Sequence, residues 1–140
     1  MKTIKAAKFP DRPLLEGAVT ATVHGTQGQS FQFETEFIHG NYGHHNDLIY
    51  VNTYGKNNAG HLLFFIPVSF TIGDKELGGT DIVVADTRLG RWFPQRGKLF
   101  LESVVHSDYR GRFEMYRDAT DEEDVDYITE GRFLFKFASA

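Results

Sequence analysis

One stretch of twelve residues, His61–Ile72 (HLLFFIPVSFTI), constrains the fold of this chain more than any other. On an extended backbone, Leu62, Phe64, Ile66, Val68, Phe70 and Ile72 share one face. Leu63 and Phe65 open the other face, which turns milder at Pro67, Ser69 and Thr71. A period of two, carried by β-branched and aromatic side chains, specifies a strand and not a helix. The run is also too short to cross a bilayer as a helix. Pro67 has no N–H for a ladder, so the strand must reach an edge there, or bulge and bend.

The same rhythm recurs along the chain. Leu15–His24 sets Val19, Ala21 and Val23 against Thr20, Thr22 and His24. In Ser30–His39, Phe31, Phe33 and Phe37 alternate with Gln32, Glu34 and Glu36, which predicts one wet face and all three rings toward the core. Further strands are predicted at Leu48–Tyr54, Thr80–Asp86, Lys98–His106, Arg112–Arg117 and Ile128–Phe137. Glycine and polar residues break them at Gly25–Gln29, Gly40–Asp47, Gly55–Gly60 and Gly73–Gly79. Thr87–Arg96, with the only Trp, reads as a loop or hairpin tip. Ala119–Asp126 offers at most a turn of helix. The expectation is an all-β fold of about eight strands at short spacing: an antiparallel barrel, or alternatively a two-sheet β-sandwich. Residues 1–13, with two prolines and several lysines, are expected as an extended N-terminal arm, and residues 14–138 as one barrel domain.

Three late strands open in one cadence: Arg96-Gly97-Lys98-Leu99, Arg110-Gly111-Arg112-Phe113 and Glu130-Gly131-Arg132-Phe133. Each glycine would permit a bulge or a positive φ where a meander strand enters the sheet. These Gly-x-Phe openings over residues 96–137, with the Phe-rich last strand, resemble small calycin-like barrels and bacterial β-sandwich domains. The resemblance implies a fold and carries over no functional residue.

Chemistry is bounded by what the chain lacks. Without Cys there is no disulfide, thiolate metal site or Cys nucleophile. The opening MKTIKAAKFPDRP has lysines but no apolar segment, so no signal peptide is expected. The expected compartment is the cytoplasm, although a mature exported form would look the same. No membrane segment is expected. A net charge of −4 argues against nucleic acid as the main partner. The charge is blocked, however: Arg88–Arg117 holds seven basic and three acidic residues, and Asp118–Glu130 holds seven acidic and no basic ones. Such blocks solvate separate rims or pair across strands.

Five of six histidines precede residue 62. His39, His44 and His45, with Asp47, are the residues a divalent metal could use, although neighbouring His-His rings point apart and a polar loop is the simpler reading. No metal or other cofactor is expected. The acidic run Asp118–Asp126 lacks the glycine and spacing of a calcium loop. Arg91, Trp92 and Phe93 make a partner-like cluster, unless the rings fold back to plug the barrel. With Phe64, Tyr50 and Tyr54 they form the candidate ligand-binding set. For acid–base chemistry the candidates are Tyr50, Tyr54, His61 and Glu102, if they converge.

Three functions follow. Thirteen Phe exceed what one small core easily absorbs, so the leading expectation is a non-enzymatic barrel binding an apolar or aromatic small molecule in an interior lined by Phe residues. Leu63 and Phe65, outside the central strand, point to a covering neighbour and hence to a homodimer. The alternatives are a cyclase- or isomerase-type enzyme with a Phe/Tyr-lined pocket, and an assembly or host-interaction protein using the Trp92 loop.

Overall fold

The computed structural model describes residues 12–44, 47–105, 108–117 and 126–138. Ten strands carry the fold: β1 (Arg12–His24), β2 (Ser30–His44), β3 (Leu48–Gly55), β4 (Gly60–Pro67), β5 (Gly73–Glu76), β6 (Val83–Thr87), β7 (Gly90–Trp92), β8 (Arg96–Val105), β9 (Asp108–Tyr116) and β10 (Tyr127–Phe137). They form one antiparallel sheet in the order β5-β8-β9-β10-β1-β2-β3-β4-β6-β7. The expected all-β meander is therefore present, with two more strands than the sequence suggested. The extra pair, β5 and β7, comes from Gly73–Glu76 and Gly90–Trp92, which the sequence predicts as turn and loop.

β5 also explains how the sheet curls. It pairs with β8, and the next residues stay on that side: Leu77 N donates to Gly97 O and Gly79 N to Pro94 O, both at 3.0 Å. By Ile82 the chain is on the other side, where its carbonyl accepts from Phe65 N at 2.8 Å and β6 joins β4. One short stretch thus passes from one end of the ladder to the other, and the sheet is barrel-like. Pro67 ends β4. Phe65 N points toward β6, so the missing donor of Pro67 falls two residues beyond the end of that pairing, where no ladder partner is needed.

Alternation builds the core. Leu62, Phe64 and Ile66 are fully buried, together with Ile49 and Val51 of β3 and Phe133, Phe135 and Phe137 of β10. The Phe64 ring meets Phe113, Phe133 and Phe135 of the opposite wall at centroid distances of 5.4, 5.7 and 5.2 Å. The middle of the interior is filled by rings. The predicted continuation to Ile72 does not stay in the strand: Val68 and Phe70 pack on the core from a turn, and Ile72 is exposed.

The repeated Gly-x-Phe cadence has a packing cause. Gly111 stands opposite Phe133, and Gly131 opposite Phe113. A Cβ on Gly111 would lie 2.6 Å from the Phe133 ring, and one on Gly131 would lie 2.5 Å from the Phe113 ring. Each phenylalanine covers the bare backbone opposite it. Gly97, at φ 142°, carries the positive φ expected of the third member.

One expectation is reversed on β2. A bulge between Thr35 and Phe37 shifts the phase of the strand. Phe33 is buried as expected, but Phe37 faces out and is 67% exposed, while Ile38 packs on the core. Where β1 parts from β2, the Thr35 hydroxyl replaces the ladder. It accepts from Val19 N at 2.8 Å, donates to Val19 O at 3.1 Å and meets the buried Thr53 hydroxyl at 2.9 Å. The predicted loop at Gly40–Asp47 is strand as far as His44, and β1 takes in Arg12 and Pro13 of the expected arm. The rest of that arm and most of the acidic run lie outside the described residues. The charge blocks do meet at one point, where Arg117 pairs with the buried Asp126 at 2.9 Å.

Replacing Phe64 by Ala should cost about 3–5 kcal/mol of unfolding free energy, whereas Phe37→Ala should stay within about 0.5 kcal/mol. Urea denaturation of the pair measures the contrast. Thr35→Val should cost about 1–3 kcal/mol by leaving the Val19 amide and carbonyl without partners, read by the same method.

Candidate functional site

The β2 bulge creates the most distinctive surface of the molecule. Past it, Phe37, His39 and Asn41 face outward beside the outward residues of β3 and β4. Strand register then lays out three rows. Phe37, Tyr54, His61 and Asp86 form the first, continued by Arg91 on β7. His39, Asn52, Leu63 and Val84 form the second. Asn41, Tyr50 and Phe65 form the third.

Rings on this face touch one another. Tyr54 and His61 have centroids 4.1 Å apart, Tyr50 and Phe65 5.4 Å, and His39 lies 6.1 Å from both Tyr50 and Tyr54. Asn52 ties the centre together. It is only 7% exposed despite pointing outward. Its Nδ2 donates to Tyr54 Oη at 3.3 Å, and its Oδ1 lies 3.3 Å from His61 Nδ1. A carboxamide oxygen can only accept, so this contact places the proton of a neutral His61 on Nδ1. His61 Nε2 is then left as an acceptor and the Tyr54 hydroxyl retains a hydrogen to donate. The face thus offers half-buried aromatic area with a few fixed polar groups, the mixture that small-molecule sites use.

Residues nominated separately in the sequence come together here. Tyr50, Tyr54 and His61 share the face with His39, and Arg91 reaches it through its ion pair with Asp86 at 3.4 Å. Phe93 is exposed just past the end of β7. Two of the six ligand-binding candidates are elsewhere. Phe64 is at the centre of the core, and Trp92 is turned inward beside Ala85, 3% exposed, its indole Nε1 without a partner among the described residues. Glu102 is separated from the other acid–base candidates. It lies on β8, across the shell, paired with Arg112 at 3.2 Å. Of the metal candidates, His39 is on the aromatic face, Asp47 is exposed at φ 58°, and His44 ends β2. His45 lies outside the described residues. Among the described residues no group of three His, Cys, Asp or Glu side chains is gathered as a metal would require.

The sequence does not single out Asn52 or the outward turn of His39. The bulge alone turns His39 outward, and its sole trace in sequence is the doublet Phe37-Ile38, two large apolar residues where alternation allows one.

Two tyrosines with raised pKa lie away from this face. Burial first, and then a hydrogen bond with Tyr42, pushes Tyr109 far up. Burial and the neighbouring Glu114 raise Tyr116. Among the described residues no helix is long and apolar enough to cross a membrane. Comparison with family models, curated proteins and solved structures finds no match to this chain.

Nitrogen-15 NMR of neutral His61 should show the Nδ1-protonated tautomer, and Asn52→Ala should return it to the commoner Nε2–H form. Because Tyr109 holds its proton more tightly in the folded chain than in the unfolded one, its contribution is intact below about pH 10 and lost above it. Stability should therefore fall as pH rises past that point, and less steeply in Tyr109→Phe.

Proposed function

We propose that this chain is a non-catalytic binding module that carries a small, flat, apolar or aromatic molecule on the outer face of β2–β4. The role is that of a calycin-like binder. The ligand rests outside the shell, since Phe64 and its ring partners occupy the middle of the interior. The observation that supports this is the Tyr50–Tyr54–His61–Phe65 ring cluster pinned by the buried Asn52 amide. Rings held in place lose little side-chain entropy when a ligand stacks on them. The Tyr54 hydroxyl and His61 Nε2 supply one donor and one acceptor for orientation.

The neutral fluorescent dye Nile red tests the reading. Saturable binding is expected, weakened about tenfold by Tyr54→Ala, the equivalent of about 1.4 kcal/mol, and unchanged by Phe100→Ala on the far side. Equal loss in both variants, or no saturable binding, would sink it.

A second reading uses the same face. Phe37 is 67% exposed, and Leu63 and Phe65 share its outward face two strands away, so a second copy of the chain is a natural cover. Sedimentation equilibrium should then show a dimer that Phe65→Ser dissociates. A monomer at every concentration removes this reading and leaves the first standing.

A further inference from the structure

The opposite outer face, over β8, β9, β10 and β1, carries a different chemistry. Arg132 on β10 stands directly across from Arg112 on β9, and Arg110 lies two residues along β9 on the same face. Like charges set opposite each other in a ladder repel. Among the described residues, only one of the three guanidiniums has a carboxylate within ion-pair distance, Arg112 with Glu102 at 3.2 Å.

Several other acids near this face have partners of their own. Glu130 accepts from the Thr22 hydroxyl at 3.1 Å, Asp74 lies 3.9 Å from Lys98, and Glu34 pairs with Lys56 at 3.1 Å. Glu114 stands opposite Lys98. Charge is therefore balanced at the Lys98 end of the face and positive at the Arg110–Arg132 end. Among the described residues, neither of those two arginines has an acidic partner. Both line a cleft of about 230 Å³, with Thr20, Ala18, Leu134 and the Glu102 carboxylate that pairs with Arg112. Arg132 also borders the adjoining cleft of about 400 Å³ that reaches Lys98.

We propose that the Arg110–Arg132–Thr20 cleft binds the phosphoryl group of a small ligand. Two guanidiniums line the cleft against one carboxylate, which is itself paired with Arg112, so the cleft stays positive and suits an oxyanion. Guanidinium forks on neighbouring strands can each hold two of its oxygens. Thr20, directly opposite Arg132 on β1, adds a hydroxyl donor. Leu134 and Ala18 form an apolar shoulder for whatever carries the phosphate. The ligand relieves the Arg112–Arg132 repulsion, so binding and stability are coupled. This seat is on the far side of the shell from the aromatic face and stands or falls independently of it.

The test is thermal unfolding of the full chain in inorganic phosphate, with chloride holding ionic strength constant. The melting temperature should rise saturably in phosphate and sulfate, and not in acetate. Arg132→Gln should weaken the apparent affinity about tenfold or more, as loss of a charged hydrogen-bonding partner does. It should also melt no lower than the parent without phosphate, because a like-charge contact is gone. Arg110→Gln should weaken binding similarly, and supplies the reading if Arg132→Gln does not fold. Lys98→Gln, at the balanced end, should bind as the parent does. If Lys98→Gln loses as much affinity as Arg132→Gln, or acetate stabilises as well as phosphate does, the effect is diffuse charge and the proposal is overturned.

Discussion

Phe64 is the contact on which the two halves of the shell depend. It sits on β4, yet its ring partners are on β9 and β10, which lie on the other wall. A curled sheet of short hairpins would otherwise be held mainly by neighbour-to-neighbour ladders, and nothing in a ladder fixes the distance between opposite walls. Edge-to-face rings do, because their geometry is directional as well as apolar. The reciprocal pairs Gly111–Phe133 and Gly131–Phe113 make this possible. They remove a Cβ where a ring has to lie flat against the backbone, so two of Phe64's partners can reach the centre.

The same interior decides what the outside offers. With the centre filled by rings, the remaining aromatic residues go to the surface, where register gathers them. Phe65, Tyr50 and Tyr54 are on the outer side of β3 and β4 because Phe64, Val51 and Thr53 are on the inner side. His39 joins them only because the β2 bulge reverses the alternation. A single extra residue thus supplies one border of the aromatic face.

Much of this was legible in the sequence, for a physical reason: a period of two survives in any strand with one buried face. The strands around Val19, Val51, Phe64 and Phe133 follow from it directly. What could not be read was set by partners distant in the chain. β5 is polar, with the sequence GDKE, and becomes a strand only because β8 lies beside it. Trp92 looks like an exposed loop anchor until β7 pairs with β6 and turns it inward. The grouping of the nominated site residues depended on register, which a bulge can shift without altering composition. Glu102 and His61 show this: similar in promise on paper, they end on opposite sides of the shell.

The terminal strands carry a further consequence. β5 has four residues and β7 only three. Among the described residues they are the two terminal strands of the sheet, so a second chain seeking to extend the hydrogen bonding there meets a short template. Aromatic surface on a long edge strand would invite fibril growth; here the outward rings described lie on β2, β3 and β4, inside the sheet order, and the terminal strands are short.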